Sequence, residues 1–165
     1  MRIPQILVIG SSEKTGYESE PYSIGKYIAS KNYVLITGGR SGIMEAVSKG
    51  AYEEKGTVIG ILPGDNLEKS NEYCSIVIPT GVGYARNLIN VLSADLVIAL
   101  GGKAGTLSEL AYAWLYKKPI ICCTFADGWS RKFPETKIDD RVGSVIYSAK
   151  NVDEVYRYID GFNDI

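Results

Sequence analysis

The chain has 165 residues, 45% of them apolar and 22% charged, with a formal net charge of −1 and a sequence pI near 5.6. That is ordinary globular composition, long enough for one substantial core, with no basic footprint for duplex nucleic acid or an anionic membrane. Histidine is absent, which excludes His-ligated metal sites, Ser-His-Asp and Cys-His nucleophile systems and any histidine general base.

Short β-branched runs alternate with helical patterns along the whole chain. Strands are expected at 6–9, 33–36, 57–62, 75–78, 95–100, 119–123 and 144–147. They are near-continuously apolar, as strands covered on both faces are. Helices are expected at 21–31, 43–55, 84–93, 106–117 and 152–160, with Pro21 in a first turn and Gly56 and Gly161 at helix stops. The alternation predicts a single α/β domain, a doubly wound parallel sheet of about seven strands with helices on both faces. Segments 63–74 and 124–143 read as loops; the second is a lid, a partner surface or a solvated excursion. No apolar run approaches the roughly 18 residues of a transmembrane helix, and Met1-Arg2-Ile3-Pro4-Gln5 opens no signal-peptide pattern. Cys74, Cys122 and Cys123 lack C-x-x-C spacing, and the adjacent pair reads as small buried hydrophobes. The expectation is a cytoplasmic protein with neither membrane nor nucleic acid as partner.

Eighteen residues are glycine, about 11% against a typical value of about 7%. The excess lies at predicted strand ends: Gly10-Ser11-Ser12, Thr37-Gly38-Gly39-Arg40-Ser41-Gly42, Thr80-Gly81-Val82-Gly83 and Gly101-Gly102-Lys103-Ala104-Gly105-Thr106. In open parallel sheets ligands bind beyond the carboxyl ends of the strands. Glycine there lets backbone approach an anion, and the following helix aims free N–H groups and its positive dipole end at it. A G-G-x-x-G turn also serves simple tight packing, but here it occurs twice, each copy followed by a cation (Arg40, Lys103) and an early glutamate (Glu45, Glu109). No G-x-x-x-x-G-K-[ST] occurs, since Lys14-Thr15-Gly16 has the wrong order. A classical dinucleotide site is disfavoured too, because the first turn is Gly-Ser-Ser and the second strand ends in Thr37.

Helical phase places Leu107, Leu110, Ala111, Trp114 and Leu115 on one apolar stripe, with Glu109 roughly opposite. Ile43, Ala46, Val47, Gly50 and Ala51 form a similar stripe opposite Glu45. Both carboxylates are therefore expected in a first turn, near the rim and away from the core. There they either complement the helix dipole, worth about 0.3–1 kcal/mol, or face a ligand. Arg86 opposes the dipole of its own helix, so ligand recognition by its fork or plain surface exposure must explain it.

These residues carry a resemblance. Gly10-Ser11-Ser12, Gly38-Gly39-x-x-Gly42-Ile-Met44, Thr80-Gly81-x-Gly83-x-x-Arg86-Asn87, Ser93-Ala94-Asp95 and Gly101-Gly102-x-x-Gly105-Thr106-Leu107-x-Glu109 resemble the LOG-like family of Rossmann-fold proteins, also called lysine-decarboxylase-like. The chain is most similar to the short branch that includes molybdenum cofactor carrier proteins, with a more distant likeness to DprA/Smf proteins. The resemblance covers residues 3 to about 125. It implies a small phosphate-bearing ligand, a nucleotide or a molybdopterin-type cofactor, held by Ser11, Ser12, Gly38, Gly39, Gly42, Thr80, Gly81, Gly101, Gly102, Gly105 and Thr106. It implies alternatively a nucleoside 5′-monophosphate phosphoribohydrolase that releases base and ribose 5-phosphate without metal or other cofactor. In that case Gly105 and Thr106 hold the 5′-phosphate, Glu109 stabilises the ribosyl cation or activates water, and Arg86 orients the substrate. Carboxylates serve oxocarbenium-like charge in glycoside hydrolysis generally. The sequence departs from the enzyme pattern at Leu100 (proline there), Tyr84 (histidine) and Asn87 (lysine). The resemblance also implies a homodimer or higher homo-oligomer, for which twelve tyrosines and two tryptophans supply aromatic surface.

Overall fold

The structure is a computed structural model that describes residues 1–13, 16 and 18–162; Lys14 and Thr15 of the discarded phosphate-loop match lie outside the described residues. Seven strands form one sheet: β1 (Gln5–Gly10), β2 (Val34–Thr37), β3 (Val58–Leu62), β4 (Ile76–Pro79), β5 (Leu96–Leu100), β6 (Ile120–Cys123) and β7 (Ile146–Ala149). Their order is β4-β3-β2-β1-β5-β6-β7, and every pairing is parallel. The alternating strand residues feed two cores. Ile6, Val8, Leu35, Leu96 and Ile98 face α1 (Ser19–Ser30), α2 (Ile43–Glu53) and α6 (Val152–Gly161) on one side. Leu7, Ile9, Ile36, Val97 and Ala99 face α3 (Arg86–Leu92) and α4 (Ala104–Leu115) on the other. Burial on both faces is why the strands are apolar at successive positions.

Three expectations change. β7 begins at Ile146 rather than Ser144, because Ser144 turns its hydroxyl to the Lys118 carbonyl and the ladder starts at Ile120↔Ile146. Segment 124–143 is not all loop: α5 (Trp129–Lys132) and a 3₁₀ turn at Phe133–Glu135 lie within it, and Ala126, Ser130 and Phe133 are buried. The phase of α4 is also different. Thr106, Glu109, Leu110 and Ala113 are its buried residues, whereas Leu115 is 47% exposed. The seam of α4 against α3 is polar, with Asn87 and Asn90 buried on the α3 side. Of the expected stripe, Leu110 is buried and Leu107 and Trp114 pack against the core, while the buried face extends to Thr106, Glu109 and Ala113. The helix also starts at Ala104, so Glu109 stands in the second turn, and Glu45 alone of the two is in a first turn.

Candidate functional site

The chain leaves β1 toward β2 on one side and β5 toward β6 on the other. Divergent crossovers from neighbouring strands open a crevice beyond their carboxyl ends. A cleft of about 310 Å³ lies there, at the lower end of the range for small-ligand sites, roughly 300–1,000 Å³. Its walls are Gly10–Glu13 after β1, Gly38 and Arg40 after β2, Tyr84, Arg86 and Asn87 around the start of α3, and Lys103, Gly105, Thr106 and Glu109 around the start of α4. Of the expected residues, the cleft thus brings together Ser11, Ser12, Gly38, Gly105, Thr106, Arg86 and Glu109.

The remaining expected residues stand behind these walls. Thr80 gives its hydroxyl to the Leu62 carbonyl at 2.7 Å, and Gly81 gives its N–H to the Gly64 carbonyl at 3.0 Å. Both join the β4 turn to the β3 turn. Gly39 accepts from Asn71 N–H at 2.8 Å. Gly42 (φ +68°) lets α2 start hard against the Ser11–Glu13 backbone: a Cβ there would lie 2.4 Å from the Ser11 carbonyl oxygen. The Ile43 N–H then bonds that oxygen at 2.9 Å.

Gly101 and Gly102 are braced by α5. The Gly101 N–H donates to Ser130 Oγ at 2.7 Å, and Ser130 Oγ donates to the Cys123 carbonyl at 2.8 Å. The Gly101 and Gly102 carbonyls accept from the N–H groups of Ser130 and Trp129. Segment 124–143 therefore supplies a buttress behind the glycine pair, a role absent from the expected readings. Ser130 was invisible from motif reading; Gly128 before it was the usable signal, because a left-handed glycine (φ +128°) permits this close backbone approach.

α2 and α4 both open on the cleft, and neither has a side-chain N-cap. α6, away from the cleft, is capped by Asn151. The uncapped first turns leave N–H donors and the positive dipole ends for a ligand. Three cations, Arg40, Arg86 and Lys103, line the cleft against two carboxylates, Glu13 and Glu109. Lys103 meets Glu13 at 2.8 Å, but both side chains are mostly exposed, so this pair contributes little.

Arg86 and Glu109 are held by different means. Arg86 Nη1 donates to the Gly38 carbonyl at 2.7 Å and to the Ile61 carbonyl, and Nε donates to Asn87 Oδ1 at 3.2 Å. Its guanidinium thus ties the β2 and β3 ends to α3. Burial lowers its pKa, and the charge of Glu109 opposes that. Asn87, which stands where the enzymes carry lysine, turns its Nδ2 to Ser108 Oγ at 2.9 Å. It thereby couples Arg86 to the N-terminal part of α4. Glu109 is 7% exposed; burial pushes its carboxyl up to about 7, against the Asn90 amide and the Arg86 charge. Asn90, which motif reading missed, could have been found as the polar residue that interrupts the apolar run Leu88–Leu92. The cysteines behave as expected: Cys122 and Cys123 are free and buried, and burial pushes the Cys122 thiol up to about 12.

The strand order and the glycine-lined crevice define a class, the Rossmann-like doubly wound α/β proteins. Within it the chain belongs to the SLOG cluster4 family, whose model matches residues 3–156. That match reaches past the expected end near residue 125 into α6. An uncharacterised protein of Archaeoglobus fulgidus is 44% identical over 115 residues, 68% of this chain and 75% of its own length. The probable cytokinin riboside 5′-monophosphate phosphoribohydrolase LOGL6 of Oryza sativa subsp. japonica is 32% identical over 122 residues, which span 67% of this chain and 49% of the rice protein. Among solved structures, the molybdenum cofactor binding protein of Rippkaea orientalis is similar at 37% identity and a TM-score of 0.88, over 99% of both chains. The molybdenum cofactor carrier protein of Chlamydomonas reinhardtii is similar at 33% identity and a TM-score of 0.86, over 99% of this chain and 100% of its own. DNA processing protein A of Helicobacter pylori, described with a single-stranded DNA binding mode, aligns at 16% identity and a TM-score of 0.70, over 94% of this chain and 80% of its own. That likeness shows the fold alone. No helix among the described residues is long and apolar enough to cross a membrane.

Proposed function

We propose that this chain binds a nucleotide or a phosphate-bearing cofactor of the molybdopterin type in the cleft at the β1/β5 switch point. The observation that carries the reading is the convergence of two uncapped helix N-termini with Arg40, Arg86 and Lys103 on one concave site. A phosphate group finds there what it needs, N–H donors, positive dipole ends and cations. A molybdopterin-type ligand would be cargo, its phosphate held by the Gly105–Thr106 turn. The relatives named as cofactor carriers support this choice.

A second reading has its own support. Glu109 and Arg86 both line the cleft, and a carboxyl titrating near neutrality can serve as acid or base in N-glycosidic hydrolysis of a nucleoside 5′-monophosphate. The phosphoribohydrolase relatives support it. One incubation separates the two. The protein is mixed with AMP, free base is followed by chromatography, and AMP binding is measured by calorimetry. Release that disappears in Glu109→Gln selects the enzyme. Binding without release selects the carrier, and neither binding nor release removes both.

The proposal extends to a cytoplasmic setting, to no nucleic-acid partner and to self-association. For the last, Ile76 and Ile78 of edge strand β4, Ile89 and Leu92 of α3 and Leu115 of α4 are exposed on one side of the sheet.

A further inference from the structure

α3 and α4 meet through a buried polar pair that ligand binding by the rim does not by itself explain. Asn90 is 1% exposed, and its Nδ2 donates to Glu109 Oε1 at 2.8 Å. This is the one hydrogen bond the carboxyl receives among the described residues. Asn90 Oδ1 has no partner. An orphaned buried oxygen is unfavourable, and asparagine is a weak helix former. Leucine would carry neither cost but would leave the buried Glu109 carboxyl without that hydrogen bond, so the asparagine serves Glu109 rather than the packing of the seam.

We propose that Asn90 is a positioning residue that fixes the orientation of the Glu109 carboxylate and eases its ionisation, coupling anion binding in the cleft to the protonation of Glu109. The inference rests on the cleft being the anion site. From α3, Glu109 is faced by Arg86, which spends Nη1 on backbone carbonyls and makes no hydrogen bond to it. Lys103 at the start of α4, Arg40 after β2, Glu13 after β1 and the exposed Tyr84 line the same cleft. The Cys122 thiol of β6 lies on this side of the sheet, while β1 and β5 bring no titratable side chain. Burial pushes the Glu109 carboxyl up to about 7, and Asn90 is the larger of the two influences pulling it back. A neutral acid in the cleft tolerates an incoming anion, whereas a carboxylate repels it. Anion affinity therefore falls as pH rises through the Glu109 midpoint, and Asn90 sets where that fall occurs.

The test uses the full chain with sulfate as probe, because sulfate stays a dianion where phosphate monoesters titrate, near pH 6. Carbon-13 NMR follows the Glu109 carboxyl, and calorimetry follows sulfate affinity from acid to alkaline pH. Affinity is expected to fall about tenfold across the Glu109 midpoint, and the profile is expected to be flat in Glu109→Gln. Asn90→Leu is expected to move midpoint and fall upward together, by about one pH unit or more. Asn90→Asp keeps the volume and removes the same donor; two carboxyls sharing the seam release their last proton at higher pH. It serves where Asn90→Leu does not fold. An unchanged midpoint in the folded variants overturns the role of Asn90 and leaves the binding site standing. Failure of the unmodified chain to bind either sulfate or AMP overturns the site reading and the coupling with it. The NMR midpoints still decide whether Asn90 tunes Glu109.

Discussion

Gly105 offers a clean way to block the cleft without harming the fold. A Cβ added there meets only Asn87 Nδ2, at 3.9 Å, and the residue has ordinary helical φ. Valine at this position projects into open cleft space beside Thr106. Its helix propensity differs from that of glycine by roughly half a kcal/mol in favour of valine. For a domain of this size about 1 kcal/mol moves Tm by roughly 2–4 °C, so Gly105→Val is expected to melt within about 2 °C of the unmodified chain. Ligand binding reads out differently. At a ligand concentration about 100 times Kd, linkage adds about 2.7 kcal/mol, or roughly 5–11 °C in Tm. A thermal-shift series with AMP and with inorganic phosphate should show this rise in the unmodified chain and none in Gly105→Val. A full ligand-induced rise in Gly105→Val would refute the placement of the phosphate at this turn.

Two further outcomes follow from the geometry around the cleft. Glu109 has an ordinary value of 4.5 and a folded value of about 7, so over that interval the unfolded chain gives up the proton first. Stability should therefore fall as pH rises from about 4.5 to about 7, by about 3 kcal/mol in all. Urea unfolding of Glu109→Gln should lack this slope, and an equal slope in both proteins would show that another group causes it. Ser130→Ala leaves the buried Gly101 N–H without its acceptor, a loss of about 1–3 kcal/mol. The same substitution should weaken AMP binding, since α5 no longer braces the glycine pair; unchanged stability and affinity would remove the buttress.

The strands were legible because sheet burial on both faces writes itself as runs such as Asp95–Leu100. The cleft was legible through its glycines, which a parallel sheet collects at one rim. Not all of those glycines had the same role. Gly38 and Gly105 reach the cleft, but Gly101 and Gly102 serve the packing of α5, and Gly81 joins two turns. A glycine records that backbone is close to something, without recording whether that something is ligand or protein. The α4 phase was misleading for a related reason. Hydrophobic periodicity assumes an apolar contact face, and here Glu109 and Asn90 sit in the contact itself. α5 lacked length, and four residues leave too little pattern to find.

Arg86 joins the ends of two strands to the helix that carries it, through contacts made with backbone carbonyls and a neighbouring amide. In this chain the guanidinium has that structural task whether or not a bond is cleaved in the cleft. The arginine by itself is therefore a poor marker of chemistry in this chain. The diagnostic weight shifts to the group Arg86 does not touch. For this chain, the response of AMP turnover and binding to Glu109→Gln, rather than the presence of Arg86, distinguishes a holder of phosphates from a breaker of glycosidic bonds.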